Sequence, residues 1–287
     1  MVGDGSVLVT GPTGNVGSAV VASLLELGQR VTAGVFNEAE AERLDPHPLL
    51  ETRIFKFGET NTYGPAFDGA TKLFLMRPPQ IADVKRYLFP VVDYAVAAGI
   101  DQIAFLSLLG VERNRVVPHY KVEKYLERCG ISYTFVRPSF YMQNLSTTHR
   151  AEIRDDNVIA VPVGKAKTSF IDARDVGAVA ARVLVESGHD NRAYPLTGAE
   201  ALDYYRVAEL FTEVLGRKIT YTNPSIPAFV RRSRRQGVPM KFALVMVGLY
   251  TATRMGSGEA VTDDVERLLG RPPMTMRRYI EDHSGYW

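Results

Sequence analysis

A doubly wound α/β fold around a mostly parallel sheet follows from three observations on the 287-residue chain. Short, almost wholly apolar runs recur through its first half, helical patterns separate them, and glycines stand where those helices end. The runs are SVLVT (6–10), RVTAGVF (30–36), TRIFKF (52–57), TKLFLM (71–76), DQIAFLS (101–107) and SYTFVR (132–137). Most are too apolar for a half-exposed sheet, which favours parallel strands covered on both faces. Helices are predicted over 16–27, 83–98 and 118–129, with Gly28, Gly99 and Gly130 at their C-terminal caps.

Beyond Arg137 and Pro138 the pattern changes. A helix near 140–153 precedes strand-like NVIAVPVG (157–164) and TSFID (168–172). A long helix from about 173 to 186, RAYPLTG (192–198), a helix near 203–215 and the strand-like KITYT (218–222) follow, and the remainder is mostly helical with proline breaks. Residues 1–137 therefore read as a sheet domain and 138–287 as a smaller, mostly helical lobe. The 168–200 segments are expected to return to the sheet.

Composition narrows the function. Hydrophobic residues make up 46% and charged residues 23%, an ordinary globular balance. A net charge of +2 argues for neither nucleic acid nor an acidic partner. The single cysteine, Cys129, excludes an internal disulfide. No basic stretch followed by an apolar run opens the chain, and FALVMVGLYTATRMG (242–256) is too short to span a bilayer and reads as a buried helix. A soluble, cytoplasmic protein with no membrane or nucleic-acid partner is expected, and its oligomeric state is not set by the sequence. RRSRR (231–235) reads as a solvated helix face. No histidine or cysteine spacing suggests a metal.

The turn GPTGNVG (11–17) carries the chemistry. It follows an apolar strand and opens an amphipathic helix, the context in which a G-x-x-G-x-x-G spacing binds a dinucleotide. Gly11 suits the tight turn, Gly14 lets the backbone approach a pyrophosphate, and Gly17 lets the helix sit on the sheet. The helix start offers free N–H groups and a positive dipole end. Gly11, Thr13, Gly14, Asn15, Val16 and Gly17 are thus expected cofactor contacts in a Rossmann-type domain. Selection between NAD and NADP rests on the end of the second strand. Phe36 and Asn37 stand there, followed by Glu38, Glu40 and Glu42, which would repel a phosphate if they faced it and which at helical spacing read as a solvated face. Lys56 and Arg43 are candidate positive charges. Strand ends at Met76, Arg77, Ser107 and Pro138 complete the expected cofactor crevice.

VTGPTGNVG, LFLMRPP, SYTFVRPSFYMQN, TSFIDARDVGAVAARVL, YPLTGAEAL and VLGRKITY together resemble the NmrA-like family of atypical short-chain dehydrogenases/reductases. The resemblance covers nearly the whole chain. It implies an NAD(P)H-dependent reductase of quinones, dyes or ergot-alkaloid-type compounds, or a regulator that binds NAD(P) without turnover. It favours NADP(H), with NAD(H) also open, although NADPH-preferring relatives tend to carry arginine at the position of Phe36. A non-redox enzyme on the same scaffold is a further alternative.

Short-chain dehydrogenases usually protonate substrate oxygen with the tyrosine of Y-x-x-x-K, and Tyr120 and Lys124 match that spacing. Alignment on ERCGISYTFVRP instead places His119 where the family's lysine or histidine sits and Arg115 at the usual tyrosine position. His119 and Tyr120 are the candidate catalytic residues, and His119 could hold the nicotinamide ribose or carry a proton. Met76, Pro78 and Pro79 at the end of the fourth strand, with Phe140, Tyr141, Met142 and Asn144 after the sixth, form the expected wall for a small hydrophobic substrate. Asp172 and Asp175 read as capping and loop-tying residues.

Overall fold

The computed structural model describes residues 5–287. Its elements begin β1 (Ser6–Thr10), α1 (Asn15–Glu26), β2 (Val31–Val35), α2 (Glu38–Ala41), β3 (Leu50–Ile54), α3 (Tyr63–Phe67) and β4 (Ala70–Met76). They continue with α4 (Val84–Tyr87), α5 (Phe89–Ala97), β5 (Gln102–Leu106), α6 (Pro118–Leu126), β6 (Ser132–Pro138), β7 (Phe140–Tyr141), α7 (Gln143–Ser146) and α8 (Arg150–Asp155). Then come β8 (Val158–Ile159), β9 (Phe170–Ile171), α9 (Ala173–Val185), β10 (Arg192–Leu196), α10 (Tyr204–Leu215) and β11 (Thr220–Tyr221). The last helices are α11 (Ile226–Arg235), α12 (Met240–Arg254), α13 (Asp264–Leu269) and α14 (Met276–Asp282).

Two compact units result. The first runs through Pro138 and adds Ala173–Leu196 and Asp264–Arg271. It holds a seven-stranded sheet in the order β10-β6-β5-β4-β1-β2-β3, with all neighbours parallel. Every residue of β2 and β5 is buried, as a sheet covered on both faces requires. All six apolar runs of the first half become strands of this sheet. The chain crosses from β3 on one edge to β4 beside β1, which opens a crevice beyond the carboxyl ends of β1 and β4. The predicted 83–98 helix is broken at Leu88, where Pro90 enters the first turn of α5.

Helix α9 lies directly on α1. A side chain at Gly177 would come within 2.5 Å of the Ala19 Cβ, so glycine permits this close approach. Asp175 is fully buried and pairs with Arg271 at 2.7 Å, tying α9 to the returning Asp264–Arg271 segment. The expected loop-tying role of Asp175 is met in this way.

The second unit comprises Ser139–Asp172, Thr197–Asp263 and Pro272–Trp287. It contains two short parallel pairs, β7 with β9 and β8 with β11. The helix expected near 140–153 is instead β7, α7 and α8, because Phe140 and Tyr141 pair with Phe170 and Ile171. NVIAVPVG forms only the two-residue β8. Asp172 is buried and accepts from Gln143 Nε2 at 2.9 Å. Helix α12 is not the buried helix that its composition predicts: Ala243, Met246 and Tyr250 face the core while Leu244, Val245 and Leu249 are exposed. Arg232 departs from the solvated face expected of RRSRR, since it turns toward Glu152 at 3.2 Å and Asp156 at 2.6 Å.

Arg232 belongs to a buried polar network. His149 Nδ1 bonds Glu152 Oε1 at 2.8 Å, and His149 Nε2 bonds the Tyr250 hydroxyl at 2.7 Å. The Ala160 N–H also donates to Glu152 at 3.0 Å. Burial acts to raise the Glu152 carboxyl pKa, but the His149 bond, the Ala160 N–H and the Arg232 charge outweigh it and hold it below 4.5. The unfolded chain therefore takes up this proton first, and the stabilisation is lost as pH falls below about 4.5. Glu152→Gln should cost about 1–3 kcal/mol at pH 7 and flatten the acid limb of stability against pH, as read by urea denaturation across that range.

Candidate dinucleotide-binding site

The turn after β1 is built around three glycines with different duties. Gly11 adopts φ +63°, and a Cβ on it would meet the Met76 Sδ at 2.3 Å. A Cβ on Gly17 would lie 1.9 Å from the Gly11 carbonyl oxygen, so α1 can start against the turn only with glycine there. Gly14 is different. It is exposed, and a Cβ there would meet no protein atom closer than 3.5 Å. The fold does not need glycine at this point, but a ligand lying against the backbone does.

Helix α1 begins with no side-chain cap and no acidic residue in its first turn. Among the described residues, the amides of Asn15, Val16 and Gly17 have no protein acceptor. The Val16 and Gly17 side positions are buried while Asn15 is exposed, so the amides lie at the surface end of a buried helix. This is the arrangement that takes phosphate oxygens.

Thr10 aligns the two strand ends bordering the crevice. Its hydroxyl donates to the Phe74 carbonyl at 3.1 Å and accepts from the Met76 N–H at 2.9 Å. The loop that follows is pinned by Arg77, whose Nη1 donates to the carbonyls of Pro78, Pro79 and Ile81 at 3.0, 3.2 and 2.7 Å. Arg77 Nε approaches His119 Nε2 at 3.4 Å, which leaves the His119 proton on Nδ1. Burial, then the Arg77 charge, push the His119 pKa down to about 3. Ser107, one residue beyond β5, is 2% exposed and its hydroxyl has no partner among the described residues. A buried unpaired hydroxyl at a strand end is a group in want of a ligand. Pro138 ends β6, and its carbonyl accepts from the Leu109 N–H at 2.9 Å.

The two readings of the 118–126 helix separate here. His119 is on the buried face of α6 with Val122, Glu123 and Leu126. Tyr120 is not, and Lys124 is tied to Glu127 at 2.7 Å with its ammonium 5.7 Å from the centre of the Tyr120 ring. Lys124 thus faces the ring rather than sharing a hydroxyl site with it. Arg115, at the usual tyrosine position, is exposed.

At the end of β2, Phe36 is 59% exposed and Lys56 Nζ sits 4.9 Å from its ring centre. The Asn37 side chain caps α2 by accepting from the Glu40 N–H at 2.9 Å. Glu40 departs from the solvated face expected of the three glutamates. Its carboxylate accepts from the Phe36 N–H at 2.6 Å and from the Thr13 hydroxyl, joining the end of β2 to the glycine turn. The N-x-x-E spacing from Asn37 to Glu40 was the available signal, because a glutamate three residues after a helix cap reaches back toward the preceding N–H groups.

The remaining expected substrate residues belong to the second unit. Met142 is 2% exposed in that unit's core, and Phe140 packs edge-on against Phe170 at 5.9 Å. Burial raises the Tyr141 hydroxyl pKa, and the Asn144 carbonyl accepts from the His149 N–H at 3.1 Å. Among the described residues no cluster could hold a metal, and no helix is long and apolar enough to cross a membrane.

The sheet order, bare Gly14, free α1 amides and orphaned Ser107 hydroxyl all fit a dinucleotide. A profile of the NmrA-like family matches residues 3–271. The chain belongs to the NmrA-like family. It is 30% identical over 282 residues to the NAD(P)H azoreductase of Xenophilus azovorans, covering 97% of this chain and 98% of that enzyme. The NADPH complex of the NADPH-dependent quinone oxidoreductase of Escherichia coli superposes with a TM-score of 0.88 at 26% identity, covering 97% of this chain and 99% of that one. NmrA itself, a negative transcriptional regulator in complex with NADP, shares the fold at TM-score 0.77 and 18% identity, covering 98% of this chain and 95% of that one.

The low pKa of His119 has a consequence for stability. The unfolded imidazole takes up a proton near pH 6.5 and the folded one only near 3, so this site destabilises the fold increasingly as pH falls between those values. His119→Asn should reduce that loss, measured as the slope of unfolding free energy against pH from 6.5 to 4.

Proposed function

We propose that this NmrA-like chain is an NAD(P)H-dependent reductase of small hydrophobic electrophiles such as azo compounds, quinones, enones and iminium ions. The observation that carries the reading is the bare, uncapped start of α1 behind Gly14. Bound reduced nicotinamide dinucleotide would supply a hydride and be oxidised in turn. The amides of Asn15, Val16 and Gly17 would hold the pyrophosphate, and Ser107 would offer its unpaired hydroxyl where the strands end.

The chain's own groups favour acceptors that need no protein acid. His119 is neutral across the working pH range, and a neutral imidazole is a poor proton donor. Tyr120 lacks the lysine partner that would prepare it. With quinones and azo groups, whose reduced anions spread charge, the proton that accompanies the hydride would therefore come from water, and iminium ions are neutralised by hydride alone. Arg77 keeps a fixed positive charge at the end of β4 while its N–H groups bind the loop. Met76, Pro78 and Pro79 would border the nicotinamide.

Purified protein mixed with reduced cofactor should show falling absorbance at the reduced-nicotinamide band with azo dyes or quinones. Gly14→Val should abolish both turnover and cofactor binding. Binding without turnover of any acceptor would replace the reductase with a sensor, and absence of binding would refute the dinucleotide reading.

A further inference from the structure

We infer that Glu40 is a specificity residue that selects NAD(H) over NADP(H), an inference that rests on dinucleotide binding at the glycine turn. Two donors fix its carboxylate, one on each oxygen: the Phe36 N–H at the end of β2 on Oε2, at 2.6 Å, and the Thr13 hydroxyl within the turn on Oε1. In this class of fold the adenosine ribose lies between those two segments. An acidic side chain there accepts hydrogen bonds from the ribose hydroxyls, and a cationic one accepts a 2′-phosphate.

Position in sequence hides this equivalence. The residues directly after β2 are Phe36 and Asn37, neither of them charged. Asn37 is committed to the α2 cap, which places Glu40 one turn later with its side chain reaching back. A carboxylate has about four lone-pair positions, and the two protein donors leave acceptor capacity for a ribose hydroxyl. The held geometry is already arranged, so no rotamer must be frozen on binding.

A 2′-phosphate would instead be brought against a fixed negative charge. Glu38 in α2 and Glu42 just beyond it are exposed and add to the negative field, which the exposed Arg43 offsets in part. Lys56 lies over Phe36 as a compensating cation, but it is shared with Glu59 at 3.6 Å. The balance of these charges opposes the phosphate.

Calorimetric titration with oxidised NAD and NADP reads this directly, without turnover. The wild-type chain should bind NAD about tenfold or more tightly than NADP. Glu40→Gln should narrow the gap, mainly by strengthening NADP. Lys56→Gln should weaken NADP further and leave NAD within about twofold. ADP-ribose and its 2′-phosphate, titrated against the wild-type chain, should repeat the preference and give an answer even if Glu40→Gln folds poorly. Tighter binding of NADP by the wild type, or a gap unchanged in folded Glu40→Gln, would overturn the inference while leaving the dinucleotide site intact. Failure of every nucleotide to bind would overturn both.

Discussion

A side chain at Gly17 and the carbonyl oxygen of Gly11 would compete for the same space, and that close contact sets the site. With glycine at 17, α1 starts hard against the turn instead of one side chain's width away. Its first amides are thereby carried to the strand ends, uncapped, while Val16 and the rest of the buried face fix the helix on the sheet. Glycine at 177 repeats the device on the far side, letting α9 settle against Ala19 and Val20. The helix that presents the amides is held between the sheet and a second helix. Packing, not a capping side chain, determines where its N-terminus points.

Electrostatics around that helix divide into two regions. At the end of β4, Arg77 spends its donors on its own loop and leaves His119 a neutral acceptor, so a cation is present without a poised acid. At the end of β2, Glu40 supplies a fixed anion and Lys56 a cation shared with Phe36 and Glu59. The first arrangement suits hydride acceptors that need no protein proton. The second bears on which nucleotide is held. The NmrA-like fold supplies the scaffold for both, and the side chains placed on it set their chemistry.

The sheet was legible in the sequence because each buried parallel strand reads as an apolar run, and the glycine turn because its spacing sits between such a strand and a helix. Elements whose shape depends on partners were not. Phe140 and Tyr141 form a strand only because Phe170 and Ile171 lie beside them, and residues 264–271 join the first unit through Arg271 and Asp175. Within the site, residue types at Gly14, Met76, Arg77, Ser107 and His119 could be picked out, but not the directions of their side chains. Glu40 read as one of three glutamates at helical spacing, which face solvent unless one turns toward a phosphate. Its role emerges only when the Asn37 cap turns the helix and the carboxylate meets Phe36 and Thr13.

The central claim is that the first amides of α1 receive the cofactor pyrophosphate. Backbone amide chemical shifts of isotope-labelled protein, recorded while reduced or oxidised dinucleotide is added, test it most directly. The largest changes should fall on Asn15, Val16 and Gly17, with slowed exchange of those amides with solvent. Saturable binding that leaves these three signals unmoved would contradict the account.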